Sequence, residues 1–475
     1  MVPNFGQFLR QGVAQVAPAL MGCGIKNDLS LDGGAGYADK QQFFYSLASS
    51  IAEGSTQSLK AQNKDDLIMG GFQSILQSYS EQQPSQSCTI NRVSAYETFH
   101  GPVHFSTSTT EHLESPKIVP SINSSTWEQW EFDGTALSGK SGLIMGFSRD
   151  PSYAFFGQGN LRVEFYMVLE DGTVIQELDY LDESTIIECD DSITGIWNAT
   201  DRHYAFRIPR DMSHAEVWWD TGRQTGSLHV ESFTSPHLAD GQLWPKENST
   251  VALAPNLNFA QPIAGGKVSA ELIVGQKKLE FTGLGGHGRL WASDGWFTIC
   301  DGWHIVRAFA GPYTLSYWEP ISRGGGNQGV SFHSAQLFKD GKLLFATQVG
   351  RASTTADFVL FTPYSRGNLT GGLADKAAGR VVELVSPERK RLWRFVLEHR
   401  RKKFEMGLGG GKGLTGFLVG VTGGEDAGEQ FEGVGFSEQV SLPEEIKQWQ
   451  IWLVYGVNLM GQWRHSLLAF VSRYI

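Results

Sequence analysis

The segment LRVEFYMVLEDGTVIQELDYLD, residues 161–182, limits the fold more than any other stretch of this chain. Apolar and polar side chains alternate along it, and Asp171-Gly172 breaks it in the middle. A period of two puts one set of side chains on each face of a strand, and Asp-Gly is the dipeptide a tight hairpin turn favours. A helix does not carry that pattern. WEQWEFDG repeats the signal up to Asp133-Gly134, read as a second hairpin turn, and HAEVWWDTG supplies a further strand. From about residue 95 to about 245 such strands follow one another without an intervening helical run, which points to a β-sandwich.

The second half meanders in the same way. WPKENSTVALAPNLN is polar and broken by Pro245 and Pro255, so it reads as a crossing between domains. After it come KVSAELIVGQKKLEFTG, GPYTLSYWEPIS, AQLFKDGKLLFATQ, FVLFTP and GRVVELVS, a succession that suits a lipocalin-like β-barrel. The expected fold is therefore all-β: an N-terminal extension over 1–94, a sandwich over 95–250 and a barrel over 251–475. Within the extension Phe43, Phe44, Leu47 and Ile51 recur at helical spacing, as do Leu67, Phe72, Ile75 and Leu76. It reads as helical or partly disordered and apart from the chemistry. Its start, MVPNFGQFLRQGVAQVAPAL, has one basic residue and a broken apolar run, a poor secretory leader. Near the other end QIWLVYGVNLM is apolar for only eleven residues. A spanning helix needs about 20, so a last strand and a terminal helix are expected there, without stable membrane insertion.

A net charge of −11 argues against nucleic acid and against an anionic membrane surface. The expected partner is uncharged and greasy, or another protein. Cys23, Cys88, Cys189 and Cys300 lie far apart with no C-x-x-C pair, so isolated buried thiols are expected rather than a zinc cage or a disulfide frame. Sequons at Asn123, Asn198, Asn248 and Asn368 fit a secretory protein. Such triplets also arise by chance in Ser/Thr-rich β proteins, and the expected compartment is the cytoplasm.

Motifs for cofactor chemistry fail on context. GKGLTG, residues 411–416, matches a dinucleotide fingerprint on paper, but the β-branched FLVGVTGGED follows where a helix must begin. Lys412 is followed by Gly413 where a phosphate-binding loop needs Ser or Thr, so nucleotide binding is not expected. His100 and His104 read as surface histidines, and there is no G-x-S-x-G elbow. No cofactor and no metal are expected.

What remains is aromatic. Residues 279–323 hold four tryptophans with little charge. As a strand, this stretch places Trp296, Thr298 and Cys300 on one face and Phe297 and Ile299 on the other, while Gly285, Gly286 and Gly288 let backbones approach. That suits the wall of an apolar cavity; an aromatic core seam fits the composition equally well. His287, among these glycines, reads foremost as a hydrogen-bond donor to backbone. Glu128 and Glu131 project to opposite faces of their strand, so at least one points inward, where its pKa rises. Asn160 is a cavity-edge amide or a turn residue, and Lys447 and Lys412 are candidate cations or solvated lysines.

Set side by side, STWEQWEFDG, GFSRDPSYAFFGQGNLRVEFY, FTGLGGHGRLWASDGWF, AGPYTLSYW, KKFEMGLGGGKGLTGF and EQFEGVGFSEQVSLPEEIKQWQIWLVYG resemble the fungal Diels–Alderases of polyketide–amino acid pathways. The resemblance covers about residues 95 to 460. It implies a sandwich and a lipocalin-like barrel holding the substrate between them, without metal, nucleotide or covalent intermediate. It also implies an intramolecular [4+2] cycloaddition of a linear polyene tetramic acid, made by a polyketide synthase–peptide synthetase, to a trans-decalin. Isoindolone formation of the cytochalasan type is the alternative ring, and a polyene hydratase or a non-catalytic lipophilic carrier are the alternatives of other classes. By motif position it puts polar anchoring on Glu128, Asn160 and Lys447. The substrate wall is expected from Trp130, His287, Trp296, Trp303, Tyr317 and Phe431. All of this requires a hollow that takes a long polyene.

Overall fold

The computed structural model describes residues 88–444, apart from 153–158, 276 and 325. The chain divides into two units, Met1–Lys64 and Asp65–Ile475, and every described residue belongs to the second. The helical periodicities of the extension, Cys23, Lys447 and the apolar C-terminal run lie outside the described residues.

Two large antiparallel sheets make up most of this unit. The first opens with Thr89–Ser94, which pairs with Glu183–Glu188, so the end of the expected extension is a sheet strand. From there the order runs Ser192–Asn198, His203–Pro209, His214–Asp220, Gln224–Ser232, Leu257–Val274, Lys277–Ala292, Trp127–Ala136, Gly142–Arg149, Leu161–Val168 and Val174–Tyr180. This sheet curls until its halves pack on one another: Trp130 meets Trp197 at 5.5 Å and Phe147 meets Phe206 at 5.2 Å. The core is thus sandwich-like, though one continuous sheet supplies both layers.

The second sheet runs Lys342–Thr347, Ser334–Lys339, Tyr313–Ser322, Cys300–Ala310, Gln430–Ser441, Lys412–Glu425, Arg391–Gly409, Gly379–Ser386 and Phe358–Pro363. Its outer strands come round to each other. Phe345 reaches Trp393 at 5.7 Å, and the Val359 amide donates to the Val349 carbonyl at 2.9 Å, so the barrel is nearly closed.

Several local expectations change. The hairpin at Asp171-Gly172 forms, with Val168 opposite Val174 and Gly172 at a φ of 88°. Asp133-Gly134 does not turn; it lies inside Trp127–Ala136, where Asp133 pairs with Arg307 and Gly134 leaves room for Val268. WPKENSTVALAPNLN is not the crossing either, because Ala252–Ala254 folds back onto Leu257–Val274 and that strand stays in the first sheet. The chain changes sheets at 293–299. There Trp296–Ile299 is a single helical turn rather than a strand, opened by the Gly295 carbonyl, which accepts from Thr298 and Ile299. Trp296 and Ile299 consequently share the buried side, as positions three apart on a helix do. Isolated thiols are corrected for two cysteines as well. Register sets Thr89 against Glu188, which brings Cys88 and Cys189 together in a disulfide across 101 residues, while Cys300 stays free and buried.

Candidate active site

Trp127–Ala136 is buried on both faces, and its alternation decides which side chains reach which interior. Trp130 and Phe132 enter the first core, whereas Gln129 and Glu131 point the other way, into a hollow between the sheets. Leu161–Val168 sends Arg162, Glu164 and Tyr166 to the same hollow. The barrel contributes Trp303, Ile305, Trp318, Phe404 and Glu438, and the helical turn contributes Trp296. Trp296 is held between two other indoles, Trp127 at 4.2 Å and Trp303 at 4.5 Å. The cavity measures about 50 Å3, with a smaller void of about 20 Å3 beside it that shares Glu131, Leu290, Ile305 and Trp318. Pockets for drug-sized ligands run to roughly 300–1,000 Å3, so a polyene fits only once lining side chains move.

The hollow is acidic and poorly solvated. Burial, then the nearby Glu131, pushes the Glu438 carboxyl up to about 8, and burial likewise raises Glu131. Glu438 Oε1 accepts from the Trp303 indole Nε1 at 2.8 Å. Lys403 is wholly buried next to this pair; its Nζ donates to the Leu143 carbonyl at 3.1 Å and lies 4.1 Å from the Phe436 ring centre. Burial brings that ammonium down to about 7 and outweighs the pull of Glu131 and Glu438. Arg162 is already committed, to Glu164 at 2.7 Å and to Asp150 at 3.2 Å. At neutral pH the site therefore offers an uncharged carboxylic acid, fixed by an indole, inside an aromatic wall. Such a group donates a strong hydrogen bond, and the low local dielectric strengthens it.

A family model described as Diels-Alderase-like matches residues 85–443. Diels-Alderase mycB of Thermothelomyces thermophilus is 56% identical over 395 residues, 81% of this chain and 89% of the relative. This chain belongs to the Diels-Alderase-like family. Hexane cyclase pydB of Acremonium sp is 44% identical, over 82% of this chain and 90% of its own length. The crystal structure of CghA with Sch210972 shares the fold, with a TM-score of 0.66 at 23% identity over 75% of this chain and 99% of that one.

Against this Diels-Alderase-like fold, the residues singled out in the sequence separate into groups. Trp296 and Trp303 line the hollow together. Tyr317 borders the smaller void, its hydroxyl 3.0 Å from His333 Nδ1 and its ring stacked on Phe361 at 4.4 Å. Glu128 lies on the opposite side of its strand, fully buried, with Arg149 at 3.2 Å, Arg289 at 3.0 Å and the Lys117 amide at 2.9 Å. Trp130 packs beneath Arg289, whose guanidinium carbon lies 3.7 Å from the ring. His287 is also in that core, stacked on Phe132, with Nδ1 2.9 Å from the Glu131 carbonyl and Nε2 3.0 Å from Glu114. Asn160 is buried at the edge of the first sheet, where its main chain bonds Ala95 and Asp150. Phe431 packs on Tyr313 at 5.9 Å in the barrel, away from both voids. Lys412 donates to Ser441 Oγ at 2.9 Å.

Glu438, Glu164, Trp318 and Lys403 were not singled out. For Glu164 a signal existed, a carboxylate between Val163 and Phe165 in an alternating strand, whereas Glu438 lies between Ser437 and Gln439 and gives none. Lys403 sits in the basic run RRKKF, and only the fold distinguishes the inward lysine from its solvated neighbours.

Proposed function

We propose that this chain is a Diels–Alderase that closes a linear polyene tetramic acid to a trans-decalin by an intramolecular [4+2] cycloaddition. The observation that carries the reading is the hollow walled by Trp296, Trp303 and Trp318, with the raised-pKa carboxyl of Glu438 held at its edge. The family match and the relatives, a Diels-Alderase and a hexane cyclase, support the same chemistry.

A cycloaddition needs no net proton or electron transfer, so two effects supply the rate. Folding the polyene against the indoles sets diene and dienophile at bonding distance and removes internal rotations in advance. A hydrogen bond from protonated Glu438 to the carbonyl conjugated with the dienophile lowers the acceptor orbital, and the dry site strengthens that bond. Lys403 opposes this donor, because its charge draws both acids toward the carboxylate, and burial of all three groups keeps that pull from prevailing at Glu438. Selecting one endo or exo approach 100:1 takes only about 2.7 kcal/mol, within reach of one indole contact and one hydrogen bond.

The small cavity makes opening a part of this reading. Trp296 sits on a one-turn helix between the sheets, so its displacement widens the hollow without breaking either sheet. Incubating purified protein with a linear polyene tetramic acid tests the proposal. A product of unchanged mass, new retention time and one dominant diastereomer is expected. A gain of water would indicate a hydratase, and recovery of unreacted precursor at the uncatalysed rate would indicate a carrier.

A further inference from the structure

Two features unrelated to the hollow point to the same cellular history. The Cys88–Cys189 disulfide fastens the first strand of the first sheet to the end of its neighbour. Stable disulfides belong to oxidising compartments and are rare where cytosolic reductants operate. The structure also sorts the sequons, which the sequence could only count. Asn248 is exposed in the loop between His237–Leu238 and Ala252–Ala254, and Asn368 is exposed in the loop between Phe358–Pro363 and Gly379–Ser386. The other two are committed side chains. Asn123 is half-buried, and its Oδ1 accepts from the Ser125 and Thr126 amides at 3.0 and 2.9 Å. Asn198 is half-buried at the end of Ser192–Asn198, with its Oδ1 3.3 Å from His203 Nδ1.

We propose that Asn248 and Asn368 are N-glycosylation sites and that the chain folds in an oxidising, glycosylating compartment rather than in the cytoplasm. A glycan is bulky and solubilising, and it needs a surface loop where it displaces no packed contact. Only these two sequons offer one. Both loops lie outside the linings of the two voids between the sheets, so the modification leaves the hollow unobstructed.

Protein isolated from its natural producer decides the matter by peptide mapping. Without prior reduction, Cys88 and Cys189 are expected in one cross-linked peptide and Cys300 as a free thiol. Glycopeptides are expected at Asn248 and Asn368, and none at Asn123 or Asn198; enzymatic deglycosylation lowers the intact mass accordingly. Asn248→Gln and Asn368→Gln each remove one glycan and leave cyclase activity unchanged. Unmodified peptides at both asparagines, or alkylation of both Cys88 and Cys189 without reduction, overturn the proposal. Glycans at Asn123 or Asn198 instead overturn the sorting by exposure.

Discussion

Glu438 and Glu128 show how differently one side chain type behaves in two interiors. Glu438 is paired with an indole and faces another acid, so it is neutral below about pH 8. Its folded pKa is raised, so the donor is present at lower pH and is lost as pH rises through that value. The cyclisation rate should fall in step, and Glu438→Gln, a donor that does not titrate, should flatten this alkaline limb. The Trp303 bond favours the charged form, so Trp303→Phe should move the limb to higher pH. Lys403 draws Glu438 toward its charged form, so Lys403→Met should move the limb to higher pH as well. Rate measurements from neutral to alkaline pH check all three, and an unmoved alkaline limb in Glu438→Gln would remove this residue from the mechanism. Glu128, held by two arginines, should instead matter for folding. Glu128→Ala strands Arg149 and Arg289 in the core at a cost of roughly 3–5 kcal/mol in denaturant unfolding, with the product ratio unchanged in whatever folds. Alternation alone told that Glu128 and Glu131 face opposite ways. It did not tell which way the hollow lies, because both faces are buried and a carboxylate is tolerated on either side once it has a partner.

At the scale of elements, period-two alternation identified strands well, since Leu161–Val168 and Val174–Tyr180 pair through the Asp171-Gly172 turn as read. It failed where a tertiary partner overrode local chemistry. Asp133-Gly134 has the residues of a turn, but Arg307 claims Asp133 and the strand runs on. Trp296 to Cys300 reads as alternating strand, yet the chain is leaving one sheet for another and takes one helical turn to do so. The glycine-rich seam, in contrast, works as expected at Gly285, where a Cβ would run into the Asp133 carbonyl oxygen of the paired strand. Gly285→Ala should force the two backbones apart and cost about 1–3 kcal/mol, read as a lower denaturation midpoint. Gly288 has only ordinary contact distance to Phe259, so Gly288→Ala should cost much less, and the pair forms an internal control.

For the whole molecule, the decisive quantity is the mismatch between a cavity of about 50 Å3 and a substrate that needs several times more. Two curled sheets are stiff, because every strand but those at the edges is bonded on both sides, so the added volume has to come from what lies between them. Trp296 is the element best placed to give, being stacked on Trp127 and tilted against Trp303 yet carried by a single turn. Moving it trades two indole contacts for contacts with the polyene, so ground-state binding is weak while the shape imposed on the bound chain is strict. Trp296→Ala enlarges the hollow and removes that constraint. It should bind the linear precursor at least as tightly, keep most of the turnover, and erode the diastereomer ratio from one dominant product toward a mixture. Binding can be read separately from chemistry. A non-reactive saturated analogue at 100 times its Kd should stabilise the protein by about 2.7 kcal/mol, and the Tm shift at a given concentration should be no smaller in Trp296→Ala than in wild type. A smaller shift together with an unchanged diastereomer ratio would mean that the indole attracts substrate without shaping it, and that selectivity resides in the acids on the opposite wall.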